Sequence, residues 1–112
     1  MMNRGWHRVV FSVVFLAGGL GLAAGAAQAQ DAATLFRNKC AMCHGEDGTG
    51  SDVGRALGVA NLRSDDVQKL TNAQLTEVIT NGKKKMPANK GNLTPAQIKS
   101  LVTYVRTFKK KS

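Results

Sequence analysis

The sequence predicts an all-α domain of three principal helices separated by long loops, and three observations carry that prediction. Ile98, Leu101, Val102, Val105 and Phe108 form an apolar stripe at helical spacing. Two Thr-x-x-Gln capping boxes, Thr71 to Gln74 and Thr94 to Gln97, each mark the start of a helix. No stretch shows the repeated apolar and polar alternation of a strand.

The first segment of the chain stands apart from that domain. Arg4 and Arg8 precede a nearly unbroken apolar run from Val9 to Leu22, which gives way to "AAGAAQA". A positive start, an apolar centre and the small-x-small triplet Ala27-Gln28-Ala29 define a cleaved secretory signal over residues 1–29. The rival reading is an uncleaved anchor. The apolar run, interrupted by Ser12 and three glycines, is shorter than the roughly 20 residues a span needs. Cleavage leaves one small domain, residues 30–112.

A domain of this size buries only about 60–65% of its unfolded surface, so it leans on a crosslink, a metal or a cofactor. With two cysteines in the chain, a multi-bridge disulfide scaffold is excluded. Beyond residue 29 there are 14 Lys and Arg against 7 Asp and Glu, an excess that favours acidic partners. Nucleic acid fits poorly, because an exported protein does not meet it routinely and the domain has only Phe36, Tyr104 and Phe108 to stack on bases.

Along the domain, "DAATLFRNKC" has Leu35 and Phe36 on one side of a short helical pattern that ends at Cys40, with Asp31 at the favourable N-terminal end. Residues 45–58, "GEDGTGSDVGRALG", hold five glycines without apolar period and read as an irregular loop. Ser64 caps a short turn at "DDVQKL". Thr71 and Gln74 then open a helix carrying Leu75, Val78 and Ile79, which Asn81-Gly82 stops. "KKKMPANKGN" is a basic loop broken by Pro87 and Gly91. Thr94 caps the last helix, Pro95 takes its first position, and Lys109, Lys110 and Lys111 suit its negative C-terminal end.

The chemistry centres on Cys40-Ala41-Met42-Cys43-His44. A thioredoxin-like redox pair would open a helix in a βαβ setting, whereas Cys40 ends a helix and strands are not indicated. Structural zinc needs four ligands, usually in two separated pairs. Past residue 29 the chain offers no Cys or His besides these three, and His44 adjoins Cys43 too closely for both to share a tetrahedron easily. C-x-x-C-H denotes c-type haem attachment. Two thiols three positions apart add to the two vinyl groups on one side of the porphyrin, and the next side chain is held where its imidazole reaches iron. An export signal agrees with that chemistry.

For the other axial position, thioether sulfur opposite a His raises the reduction potential. Only Met42 and Met86 lie beyond residue 29. Met42 sits inside the attachment motif and is tied to the His side of the ring. Met86 follows in the polar inter-helix loop with Pro87 after it, and it has little apolar core to fill there. It is the expected second ligand.

The stretches "LFRNKCAMCHGEDGTG" and "ITNGKKKMPANKGNLTPAQIKSLVTYVRTF" resemble the small class I monohaem cytochromes c, the soluble carriers of bacterial respiratory and photosynthetic chains. The likeness covers nearly the whole domain. It implies thioethers at Cys40 and Cys43 to one haem c, His44 as proximal and Met86 as distal ligand, and three principal helices wrapped around the haem. It also implies crossing terminal helices, with Phe36 near Leu101 and Tyr104. One departure concerns the proximal imidazole. The family often places Gly-Pro in the loop after the motif, the Pro carbonyl accepting the imidazole N–H, and here the corresponding run is read as Gly54-Arg55-Ala56-Leu57, which has no Pro. The family's propionate-binding Trp or Arg has no clear counterpart: Trp6 lies in the signal, leaving Arg55 or Arg63.

The resemblance implies a periplasmic, monomeric one-electron carrier rather than an enzyme, with no stable membrane insertion after processing. Lys83, Lys84, Lys85 and Lys90 flank Met86 and are expected to meet acidic-faced redox proteins or membrane redox complexes. Two alternatives stand beside it. One is a haem sensor or peroxidase-like protein in which Met86 is displaced; the other is a haem subunit of a larger dehydrogenase or oxidase.

Overall fold

The computed structural model describes residues 32–109. The expected signal at residues 1–29, Asp31 and Lys110 and Lys111 lie outside the described residues. Within them the chain forms helix α1 (32–39), α2 (Ala41–His44), α3 (Asp52–Ala56), α4 (Asp65–Gln68), α5 (Asn72–Asn81) and α6 (Pro95–Arg106). The described residues contain no strand beyond two isolated bridges, Lys83 with Met86 and Lys90 with Leu93. Among them no helix is long and apolar enough to cross a membrane. The three longest helices, α1, α5 and α6, are those the apolar patterning and caps mark.

Both capping boxes form. Thr71 Oγ1 accepts from Gln74 N at 3.1 Å while Gln74 Oε1 accepts from Thr71 N at 2.8 Å. Thr94 and Gln97 repeat the exchange at 3.1 and 2.9 Å, with Pro95 at the first helical position. Each box satisfies N–H groups that the first turn otherwise leaves without partners. Ser64 caps α4 through Val67 N at 3.3 Å.

The region read as one irregular loop, 45–58, contains α3 and is corrected accordingly. Ser51 takes an extended conformation and its hydroxyl accepts from Gly54 N at 3.0 Å, starting a single turn with Asp52 at its positive end. That turn carries exposed Val53 and Leu57 rather than an inward apolar stripe, so periodicity gave no sign of it.

The core is one cluster. Leu75 and Ile79 of α5 meet Ile98, Leu101, Val102 and Val105 of α6, together with Phe36, Leu62, Val67, Leu93 and Phe108. Phe36 and Leu101 are the most deeply buried side chains. Phe36 joins α1 to α6 through Tyr104, with ring centroids 5.1 Å apart, and it lies 5.2 Å from Phe108. Tyr104 and Phe108 close the triangle at 5.4 Å, edge to face. The expected contact of α1 with α6 is thus present at Phe36 and Tyr104.

Candidate functional site

α1 delivers Cys40: its N–H continues the helical pattern to Phe36 O at 2.8 Å, after which the chain turns into α2. Cys40 and Cys43 are free, half-buried thiols. Burial pushes the Cys40 thiol up to about 11. A reactive C-x-x-C pair needs a depressed thiol pKa, so this environment opposes the redox-pair reading.

The end of α2 leaves four carbonyls to be satisfied. Ala41 O accepts from Gly45 N at 2.8 Å and His44 O from Gly50 N at 2.7 Å. Cys43 O accepts from Ser51 N at 3.0 Å and from the Ser51 hydroxyl at 3.2 Å. The same hydroxyl reaches Met42 O. Ser51 therefore ends α2 and begins α3, locking the two against each other.

The lock depends on Gly54. A Cβ built on it would stand 1.8 Å from Cys43 O and 2.8 Å from Val59 Cγ1. Only a residue without a side chain lets α3 lie this close to the Cys43 backbone.

His44 is buried, the one polar side chain in that class among the described residues. Its Nδ1 lies 3.2 Å from Ala60 O. A carbonyl can only accept, so Nδ1 carries the proton and Nε2 is left with a free lone pair. Burial lowers the imidazolium pKa, against the smaller opposite pull of the Ala60 carbonyl, which keeps the ring neutral and able to ligate.

The acceptor for the His44 ring is therefore Ala60 and not the expected run at 54–57. Gly58 N to Arg55 O at 3.1 Å and Val59 N to Gly54 O at 2.9 Å reverse the chain after α3 and bring Ala60 back to His44. The signal was weak, since the bond uses a backbone carbonyl and the Ala side chain contributes nothing to it.

Arg55 and Arg63 were the sequence candidates for a propionate. Arg63 Nε donates to Asp47 O at 2.6 Å, its NH1 reaches Phe108 O at 3.5 Å, and its guanidinium sits 5.1 Å from the Phe108 ring centroid. It braces the glycine loop on the core. Arg55 is exposed and donates to Thr49 Oγ1 at 3.3 Å.

Met86 is half-buried and packs on the apolar cluster that also takes Cys40 and Ala41. A two-residue turn presents it. Lys83 N donates to Met86 O at 3.1 Å and Met86 N to Lys83 O at 2.9 Å, with Lys84 at φ 55. Gly82 stops α5 with φ 77 and ψ 172, an extended ψ in place of the left-handed helical one. A Cβ there would lie 2.6 Å from Met86 O. Asn89 N and Nδ2 donate to Ile79 O at 3.2 and 3.0 Å, and Lys90 N to Thr80 O at 3.0 Å, tying the far side of the loop to α5.

The donor set is two thiols, a neutral buried imidazole of fixed tautomer and a thioether. These residues fit a covalently anchored haem. Among the described residues no group of three or more His, Cys, Asp and Glu could hold a metal ion on its own.

Comparison with known proteins agrees with this chemistry. Residues 27–105 match the family described as cytochrome C oxidase, cbb3-type, subunit III. The CcoP subunit of the cbb3-type cytochrome c oxidase of Cereibacter sphaeroides is 41% identical over 83 residues, 71% of this chain and 27% of that subunit. The chain thus spans about a quarter of the length of the oxidase subunits it matches. Cytochrome c6 of Anabaena variabilis is 34% identical over 84 residues, 70% of this chain and 90% of the relative. Among solved structures, the KustC0563 c-type cytochrome superposes with a TM-score of 0.67 at 36% identity, over 70% of this chain and 98% of its own.

Proposed function

The chain belongs to the cytochrome c family, and from that premise we propose that it is an exported, periplasmic one-electron carrier bearing a single haem c. Haem-based electron transfer is what the relatives share. The finer assignment gives Cys40 and Cys43 as the thioether anchors, His44 and Met86 as the axial ligands, and residues 1–29 as the cleaved signal. When bound, the haem supplies a one-electron Fe(III)/Fe(II) couple.

The observation that carries the proposal is the state of His44: buried, held by Ala60 O at 3.2 Å, and directly after Cys43. Ala60 fixes the ring's tautomer and orientation and strengthens Nε2 as a donor. Met86 offers a soft neutral sulfur that favours the ferrous state. The Ala60 bond holds the His44 ring and the two backbone bonds with Lys83 hold the Met86 turn, and ligands kept in place in both oxidation states lower the reorganisation accompanying transfer. With both ligands retained, no position is left for substrate, and the work is transfer rather than turnover.

Docking follows from charge. From Val78 to the end of the sequence there are nine Lys and Arg and no Asp or Glu. Lys83, Lys84, Lys85 and Lys90 are all exposed around Met86. Such a one-signed surface steers acidic partners, with association rates up to ~10⁸–10⁹ M⁻¹s⁻¹ at low salt.

Haem staining of the denatured, exported protein tests the anchor, and stain surviving loss of both Cys40 and Cys43 sinks it. The ferric spectrum tests Met86: the wild type is low-spin with the weak long-wavelength band of sulfur on iron, and Met86→Ala loses that band. A second reading, a haem subunit of a terminal oxidase, is favoured by the cbb3-type family match and the CcoP relatives. Co-purification with an oxidase from native membranes would select it over the free carrier.

A further inference from the structure

Ala60 is the acceptor for His44, yet its own position needs explaining, because residues 57–64 belong to no helix. Two residues on, Leu62 supplies the fixed points. Leu62 N donates to Gly48 O at 2.8 Å. Leu62 O accepts from Gln68 Nε2 at 2.7 Å, and the same nitrogen donates to Val105 O of α6 at 3.1 Å. Both amide hydrogens are used.

Arg106 orients that amide. Its NH1 donates to Gln68 O at 3.0 Å and to Gln68 Oε1 at 3.4 Å, its NH2 to Leu70 O and its Nε to Asn72 Oδ1 at 3.1 Å. With Oε1 turned to a cation that can only donate, Nε2 must face the two carbonyls.

The geometry points to Gln68 as a positioning residue that holds the Ala60 carbonyl on His44 Nδ1 by bracing Leu62 to the last helix. The inference rests on the site reading above only where it concerns iron. The carboxamide lies half-buried between two carbonyls that cannot bond each other, and no apolar side chain can bridge them. A loosened Leu62 lets Ala60 drift from Nδ1. The imidazole then becomes a poorer donor, ferric iron is less well stabilised, and the potential rises.

The test uses the exported, haem-loaded protein with Gln68→Glu, which places an acceptor where two donors stood, and Gln68→Met, an apolar side chain of similar length that folds if the charged variant does not. Solvent exchange of the His44 Nδ1 proton is followed by NMR, beside the reduction potential and Tm. The expected result is exchange about fivefold faster, the protection one ordinary hydrogen bond confers, together with a raised potential. A lower Tm with unchanged exchange overturns the inference and leaves Gln68 as a stabiliser alone. Exchange reads the brace whether or not His44 binds iron, whereas the potential moves only if it does. Faster exchange at constant potential therefore supports the brace and counts against His44 as ligand.

Discussion

Gly54 and Cys43 are in backbone contact: the missing side chain of the first is what leaves room for the carbonyl of the second, 1.8 Å from where a Cβ would stand. Gly54→Ala must push α3 away from the Cys40–His44 segment, and Val59 on the other side blocks easy relief. The expected cost is about 3 kcal/mol, the upper part of the usual range for overpacking, with reduced haem incorporation. Gly58→Ala is the control. It has nothing within 4 Å but a φ of 76°, so it shows only the left-handed penalty, about 1 kcal/mol. Urea midpoints and haem per protein measure both.

Lys84 is the one non-glycine residue with positive φ among the described residues, at 55°. It sits at the turn that presents Met86, so the strain is borne where the loop must be tight. Lys84→Asn keeps the turn with a residue tolerant of that conformation. The expected gain is about 0.5 kcal/mol, a rise in Tm of about 3 °C for a domain of this size, with the long-wavelength ferric band retained. A fall in Tm would show that the lysine stem packs usefully there.

The contrast between Cys43 and Ala60 shows what could be read beforehand. Thiol, imidazole and thioether chemistry resides in side chains, so Cys40, Cys43, His44 and Met86 could be picked out by type and spacing. Helices with an apolar stripe or a capping box were equally visible, as Ile98 to Phe108 and Thr71 with Gln74 demonstrate. α3 was not, because its cap, Ser51, lies among glycines and its apolar residues face outward. Ala60 acts through a backbone carbonyl. Gln68 acts through contacts with residues 6 and 37 positions away, and no local pattern encodes those distances.

Asp47 should give the fold an acid-sensitive limb. Its carboxylate accepts from Thr49 N at 3.0 Å and the Thr49 hydroxyl at 2.8 Å. These bonds, with a smaller contribution from nearby Arg63, hold its pKa below the usual carboxylate value. A folded-state pKa below the unfolded one means the stabilisation is complete above the unfolded value and is lost as pH falls through the folded value. Tm measured downward from pH 5 should therefore drop. Asp47→Asn should flatten the drop by lowering Tm at neutral pH, where the carboxylate's contribution is otherwise complete, and an unaltered acid limb would assign it to other carboxylates.

Phe36 and Tyr104 couple the first helix to the last. Their centroids are 5.1 Å apart, Phe36 is almost wholly buried, and no hydrogen bond of the Tyr104 hydroxyl occurs among the described residues. The stabilisation then lies in the rings and not in the phenol. Tyr104→Phe is expected to fall within about 0.5 kcal/mol of wild type, while Phe36→Ala should cost about 3–5 kcal/mol, a large share of the ~5–15 kcal/mol typical of a domain. A double-mutant cycle of Phe36→Leu with Tyr104→Leu isolates the pair and should return a coupling of about 0.5–1.5 kcal/mol. Strict additivity would mean that the two helices are joined only by general burial and that the aromatic contact is incidental.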